Sequence, residues 1–294
     1  MIIVKLQGGL GNQLFQYAMA SSCASRFKVP FKLDLSFLLD RSSRPDFTHR
    51  DFALDIFPSI PDLVYLPPEV VERLPRIAER TLGFDQDIFD LIAEMLSRGP
   101  CYLDGYWQNE SYFAPISEEL RDILIVVEAD DSVKRLKEAI STNNSICVHI
   151  RRGDFVNNRS NLGYHGVPPL EYYRSGITQI ADSVGPVHCF VFSDDILWCQ
   201  AHLDVGYPTT FIGPESSGRK DGLHLMLMSA CHHFVLSNSS FGWWAAWLGE
   251  KSHSKVFVPE IWLAGPGVSS RMFVPDRWMA HRLIKEDLVQ PLGS

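Results

Sequence analysis

No C-x-x-C pair occurs among the six cysteines, Cys23, Cys101, Cys147, Cys189, Cys199 and Cys231. That spacing would be the first sign of a structural zinc or a redox pair, so neither is expected. Most of these cysteines sit in apolar contexts as small core residues, and the composition fits a reducing cytoplasm. No apolar run reaches the roughly 18–20 residues that cross a bilayer. The opening Met1-Ile2-Ile3-Val4-Lys5 lacks a basic stretch leading into a long apolar segment, and it reads as a first strand rather than a signal peptide. Positive charge is also scarce: 27 Lys and Arg stand against 35 Asp and Glu, for a net charge of −8. A general nucleic-acid binder needs a basic surface, so that class is excluded. A small anion is not, because a local arginine pair outweighs distant, screened charge. Neither G-x-G-x-x-G nor a Walker loop is present.

What remains is a globular composition, 46% hydrophobic and 21% charged over 294 residues, with room for two domains. Strands are expected at 2–6, 31–35, 145–150, 187–192, 209–212, 234–236 and 255–258. Helices are expected at 13–27, 69–80, 86–97, 131–140, 169–182, 195–203, 222–231 and 240–248. Alternation of this kind predicts a parallel sheet covered on both faces. A polar stretch, Glu128-Ala129-Asp130-Asp131-Ser132, places a domain boundary near residue 130, giving domains of 1–130 and 131–294.

Three expected strand ends carry polar side chains. Val148-His149-Ile150-Arg151-Arg152-Gly153-Asp154 leaves an apolar run with two guanidinium groups, which call for a phosphate or pyrophosphate. The plainer alternative is a salt bridge between one of the arginines and Asp154. Phe192-Ser193-Asp194-Asp195 offers an acid for a base edge, a pair of hard oxygen ligands for a metal, or a helix cap at Asp195. Ser237-Asn238-Ser239-Ser240 brings hydroxyls and free N–H groups to a helix start, which suits phosphate oxygens or capping alone. Trp243, Trp244 and Trp247 follow at core spacing. In a parallel sheet the three ends share one edge, so together they favour a nucleotide or nucleotide sugar in the second half. In the first half, Gly8, Gly9 and Gly11 allow backbone to approach a ligand at a helix start. Asn12 and Gln13 there add polar side chains able to reach into a cleft, and Asn12 is equally a plain N-cap.

Gly8-Gly9-Leu10-Gly11-Asn12-Gln13-Leu14-Phe15-Gln16-Tyr17-Ala18, the His149-Ile150-Arg151-Arg152-Gly153-Asp154 block, Phe192-Ser193-Asp194-Asp195 and the run from Ser237 through Phe241-Gly242-Trp243-Trp244 resemble the bacterial α-1,2-fucosyltransferases of glycosyltransferase family 11. The resemblance extends in order from residue 2 to about 263. It implies an α/β, GT-B-like architecture: two Rossmann-type domains facing a cleft, with 1–130 on the acceptor side and 131–294 holding the donor. It implies inverting transfer of L-fucose from GDP-β-L-fucose to the 2-hydroxyl of a terminal galactose, with no metal and no other cofactor. Acceptors would be β-galactosides such as lactose, N-acetyllactosamine or a lipid-linked oligosaccharide. The enzyme would be cytoplasmic, with peripheral association at the inner membrane face as an option.

By the same resemblance Arg151 holds the β-phosphate with Arg152 in support, and His149 and Asp194 position the nucleoside. Asn238, Ser239 and Ser240 serve the diphosphate, while Gly9, Gly11 and Asn12 lie beside the diphosphate and fucose. Arg151, Asn12 and Asp154 form the catalytic set. Asp154 is the candidate base, with His165 and Asp34 as fallbacks. Tyr106, Trp107 and Gln108 are candidate acceptor contacts or plain packing. Family members often carry an Asp where this chain has His224, and Asp221 is the nearest acid. Alternatives from other classes are a different inverting GT-B transferase and a non-catalytic GDP- or glycan-binding module.

Overall fold

The computed structural model describes residues 1–42, 48–60, 63–81, 83–127, 131–153, 156, 166–262 and 270–283. They form two compact units, Met1–Ile125 and Val126–Ser294. Each is an α/β unit built on an all-parallel sheet. This is the two-Rossmann-unit fold class expected from the sequence.

The sheet of the first unit contains β1 (Ile2–Lys5), β2 (Phe31–Asp34), β3 (Leu63–Val64), β4 (Arg76–Ala78) and β5 (Cys101–Asp104) in the order β3-β2-β1-β5-β4. Ile2, Val4, Leu33, Cys101, Leu103 and Ile77 alternate onto one fully buried face. Helix α1 (Leu10–Phe27) contacts β1 and β2, and α2 (Ile88–Arg98) contacts β5. Twelve of the eighteen residues of α1 are buried, so it is a core helix rather than a surface one. The helix expected at 69–80 does not form. Residues Pro68–Val71 make one turn, and Arg76–Ala78 instead pair with β5. Pro75 explains the difference, because it cannot donate within a helix and biases Leu74 away from helical geometry.

In the second unit, helix α3 (Asp131–Thr142) leads into β6 (Ser145–Ile150), followed by α4 (Leu170–Val184), β7 (His188–Ser193), α5 (Ile196–His202), β8 (Thr209–Ile212), α6 (Gly222–Ser229), β9 (His233–Leu236), α7 (Ser240–Gly249), β10 (Val256–Pro259) and β11 (Met279–His281). Their order across the sheet is β8-β7-β6-β9-β10-β11. Numbered within the unit this is 3-2-1-4-5-6, the dinucleotide-binding order. The direction of winding reverses between β6 and β9, and a crevice opens there beyond the strand ends. In the first unit the reversal falls between β1 and β5.

The core of the second unit is continuous across the sheet. It includes Val148, Val191 and Val235 from the strands and Tyr172, Tyr173 and Ile177 from α4. Tyr172 is buried, and its hydroxyl donates to Leu236 O at 2.7 Å. Trp243, Trp244 and Trp247 are core residues, each no more than 1% exposed. All six cysteines are buried and unpaired. No helix among the described residues is long and apolar enough to cross a membrane.

Candidate active site

The three polar strand ends of the second unit meet at its reversal point. Register pairs Ile150 of β6 with Ser193 of β7, and His149 with Leu236 of β9. All strands run parallel, so the residues that follow emerge from one edge.

Asp194 organises that edge. Its Oδ1 accepts the backbone N–H of Arg152 at 2.8 Å, and its Oδ2 lies 3.1 Å from Arg151 Nη1. A Cβ on Gly153 would stand 2.5 Å from Asp194 Oδ2, so only glycine allows the chain past this carboxylate. The two arginines therefore differ. Arg151 keeps a quarter of its side chain exposed. Arg152 lays its guanidinium 3.4 Å over the Trp198 ring of α5 and pairs through Nε with Asp195 Oδ2 at 3.4 Å. Its headgroup is committed to packing and a cation–π contact. Asp195 holds the N-cap position of α5, but its side chain makes no cap hydrogen bond. Each acid of the pair thus answers a guanidinium. The arginines pair with Asp194 and Asp195, acids other than the one the salt-bridge alternative named. Asp154, which the sequence offered as partner or base, lies outside the described residues, as does His165.

His149 is buried, with Nδ1 3.1 Å from Ser237 Oγ. Its pKa is pushed down to about 3, mainly by burial, then by the charges of Arg151 and His224. It is a neutral ring at any physiological pH. Helix α7 approaches it closely, since a Cβ on Gly242 would sit 2.6 Å from His149 Nδ1. His224 donates from Nε2 to Gly213 O at 3.0 Å and meets Phe192 edge-on. Burial lowers its pKa too. The position where an acid was expected therefore carries a neutral imidazole.

Ser237 is buried and ties β9 to β6 through its N–H to His149 O at 2.9 Å. Asn238 is also buried, donating from Nδ2 to Gly166 O at 3.3 Å and Trp262 O at 3.2 Å. It straps two loops together. Ser239 is the N-cap of α7 and makes no side-chain cap bond, and Ser240 begins the helix. Both are partly exposed. Hydroxyls and N–H groups of a first helical turn have the chemistry that suits an anion.

The first unit presents a second polar edge at its own reversal point. Gly8 has φ +77°, and a Cβ there would collide with Asn12. Gly9 is the N-cap of α1 in extended conformation, with open space beside its Cα. The first helical bond runs from Gln13 N to Gly9 O at 3.0 Å, so the N–H groups of Leu10, Gly11 and Asn12 have no intrahelical acceptor. Asn12 is not the cap; its Oδ1 accepts Gln108 Nε2 at 2.7 Å. Trp107 is fully buried and does not offer its face to a sugar, whereas Tyr106 is exposed. Asp34, the fallback base, is buried. It accepts from Tyr102 Oη at 2.7 Å and Ser36 Oγ at 2.5 Å.

Gln13, expected as a polar side chain able to reach a cleft, instead binds main-chain groups, as does Gln16, which carried no sequence signal. Gln13 donates to Gly8 O and Asp51 O, both at 2.8 Å, and accepts from Ala53 N at 2.9 Å. Gln16 accepts from Gln7 N at 3.0 Å and donates to Gly105 O at 3.3 Å. Glu79 and Trp198 were likewise overlooked. Glycine between Phe241 and Trp243 was the one visible sign of the His149 contact, since a helix interior gains nothing from glycine.

Residues 86–264 match the family model Glycosyl transferase family 11. An α-1,2-colitosyltransferase of Escherichia coli is 30% identical over 271 residues, covering 89% of this chain and 92% of its own. The O-antigen biosynthesis glycosyltransferase WbnK of Escherichia coli is 30% identical, covering 88% and 94%. A galactoside 2-α-L-fucosyltransferase of Caenorhabditis elegans is 22% identical, covering 89% and 72%. With a family match over more than half its length and relatives aligned along most of it, the chain belongs to glycosyl transferase family 11.

Proposed function

We propose that the chain transfers L-fucose from GDP-β-L-fucose to the 2-hydroxyl of a terminal galactose, forming an α-1,2 linkage with inversion and without a metal. The observation that carries this reading is Arg151, held partly exposed by Asp194 at the strand edge from which β9 leads into the first turn of α7. In this proposal 131–294 is the donor domain and 1–130 the acceptor side.

The galactose O2 attacks fucose C1 as the bond from C1 to the β-phosphate oxygen breaks, and GDP leaves with the electron pair. Charge grows on the diphosphate during that step. Arg151 and the N–H groups and hydroxyls around Ser239 and Ser240 stabilise it more in the transition state than in the ground state. Arg152 contributes its packing on Trp198 and keeps Arg151 in place. Neutral His149 meets the nucleotide as a hydrogen-bonding ring that adds no charge. Asp194 serves the nucleoside indirectly, through Arg151. Asp154 takes the proton from O2, and Asn12 serves the fucose and diphosphate. Because Asp194 and Asp195 each answer an arginine, the pair is poorly suited to hold a divalent cation.

A second donor is favoured by one finding: a relative at 30% identity is named a colitosyltransferase. Colitose is the 3-deoxy counterpart of L-fucose, so the same leaving-group chemistry applies. The test is GDP release from GDP-fucose, GDP-colitose and a UDP-sugar, each with lactose, N-acetyllactosamine and a Gal-β-1,3 acceptor, with and without EDTA. Release from a GDP-sugar in EDTA, abolished in Arg151→Ala, supports the proposal. Strict Mg²⁺ or Mn²⁺ dependence overturns the metal-free mechanism. GDP binding with no acceptor-dependent release identifies a non-catalytic module.

A further inference from the structure

We propose that Glu79 is a positioning residue for Asn12, acting through the turn 105–108; this rests on the reading that Asn12 serves the donor. Glu79 directly follows β4, and its N–H continues the ladder to Asp104 O at 2.9 Å. Its carboxylate then crosses under the chain leaving β5. Oε2 accepts from Tyr106 N at 2.8 Å and Oε1 from Trp107 N at 2.9 Å. Both oxygens are used on two successive amides, in charge-assisted bonds.

The turn they hold is costly. Trp107 has φ +57°, a left-handed conformation that a bulky aromatic residue seldom adopts. Its ring is fully buried, edge-on to Tyr112, and its Nε1 has no hydrogen-bond acceptor among the described residues. Gly105 has no room for a Cβ, which would stand 2.5 Å from Glu79 Cβ. Glu79 is half-buried, and desolvation raises its pKa against the pull of the two amides. A turn that only had to reverse the chain would place glycine at the left-handed position and need no carboxylate on its two amides. Strain of this kind persists where its surroundings over-determine it, and it clusters at functional sites.

What the turn delivers is Gln108. Its Nε2 reaches Asn12 Oδ1 at 2.7 Å, across the reversal point between β1 and β5. With Oδ1 occupied, the Asn12 amide meets a ligand as a donor, which suits a diphosphate oxygen or a sugar hydroxyl. Glu79 sets the turn, the turn sets Gln108, and Gln108 sets the side of the amide that Asn12 presents.

The experiment compares Glu79→Gln, Gln108→Ala and the double variant with the wild-type chain. Steady-state transfer, thermal unfolding and amide hydrogen exchange are measured on each. Glu79→Gln keeps one acceptor and sets an NH₂ against the other amide. Each single variant is expected to lower kcat about tenfold, the effect of one misplaced hydrogen bond, with KM for the acceptor nearly unchanged. The double variant should be no slower than the slower single, because both act on Asn12. Exchange in Glu79→Gln should rise at 105–110 and at 8–14 together. Additive losses in kcat, or faster exchange confined to 105–110, overturn the proposal. Gln108→Ala leaves the turn's own bonds intact and reads the coupling even if Glu79→Gln folds poorly. A wild-type chain that transfers from no donor refutes the functional reading, while the exchange data still decide the coupling.

Discussion

Asp194 Oδ2 and Arg151 Nη1 are 3.1 Å apart, and the same carboxylate binds the backbone N–H of Arg152. The contact joins the ends of β6 and β7 and fixes the direction of Arg151, the more exposed of the two guanidinium groups. Asp194→Asn retains an acceptor for the Arg152 amide but removes the charge that orients Arg151. Two effects then oppose each other in GDP binding, lost orientation and removed negative charge. The expected result is a GDP affinity within about threefold of wild type, and a kcat lowered about tenfold by the lost orientation. Arg151→Ala should cost about a hundredfold or more. Combining the two should be no worse than Arg151→Ala alone. Steady-state GDP release and calorimetric titration of GDP read both quantities, and an additive double variant would show that Asp194 acts elsewhere.

Buried histidines make the fold sensitive to mild acid. His149 has its pKa pushed down to about 3 and His233 to about 4, in both cases chiefly by burial. His233 also accepts Lys255 N–H at ring Nδ1 and faces Asn144 Oδ1 through Nε2, so both nitrogens are engaged while it is neutral. In the unfolded chain each titrates near 6.5. Below that pH the unfolded state binds more protons than the folded one, so stability falls as pH falls, and the loss levels off only near the folded values. At pH 5.5 each group should cost about 1.4 kcal/mol, before most carboxylates titrate. Urea unfolding at pH 8, 7, 6 and 5.5 should show a flat midpoint from 8 to 7 and a steady fall below. A midpoint unchanged at 5.5 would mean that these rings are protonated in the folded state.

How much of this was legible depends on how far each signal reached along the chain. The run from Ile146 to Ile150 announces a buried strand, and the switch to Arg151 and Arg152 announces its polar end, because both signals are local. Which arginine stays more exposed was not legible, since Trp198, which captures Arg152, belongs to α5, with α4 and β7 in between. Asp195 sits where a cap belongs, yet the capping rule gave no hint that Arg152 would take its carboxylate. β3 and β4 are two and three residues long, too short for any periodicity, and pairing with β2 and β5 creates them. Gln13 reads from sequence as a side chain aimed at a cleft and Gln16 as an unremarkable helical residue, because the backbone groups they satisfy lie in loops distant in sequence.

Gln13 therefore makes a sharp test of buried polar satisfaction. Its amide answers three main-chain groups in two separate loops, and the residue is fully buried. Gln13→Leu has similar volume and better hydrophobicity, so a core governed by apolar burial alone would be stabilised. Leaving those backbone groups without partners should instead cost roughly 2–4 kcal/mol. Thermal unfolding decides the sign, and a variant at least as stable as wild type would refute the role assigned to this side chain.

Two glycines of α7 separate folding from ligand binding. A Cβ on Gly249 would meet the backbone oxygen of Ser229 at the end of α6, an atom that cannot step aside. A Cβ on Gly242 would meet His149 Nδ1 at 2.6 Å and its Cγ at 3.2 Å, a side chain at the polar edge. Each alanine should destabilise by about 1–3 kcal/mol, through overpacking. They should part company in GDP titration at a temperature where both remain folded. Gly249→Ala acts at the far end of the helix and should bind GDP as wild type does. Gly242→Ala must move either His149 or the first turn of α7 and should weaken GDP about tenfold, the expected loss for one displaced hydrogen-bonding group. If Gly242→Ala binds GDP normally after losing stability, the close approach of α7 to His149 is packing alone, and the nucleotide sits elsewhere along the edge.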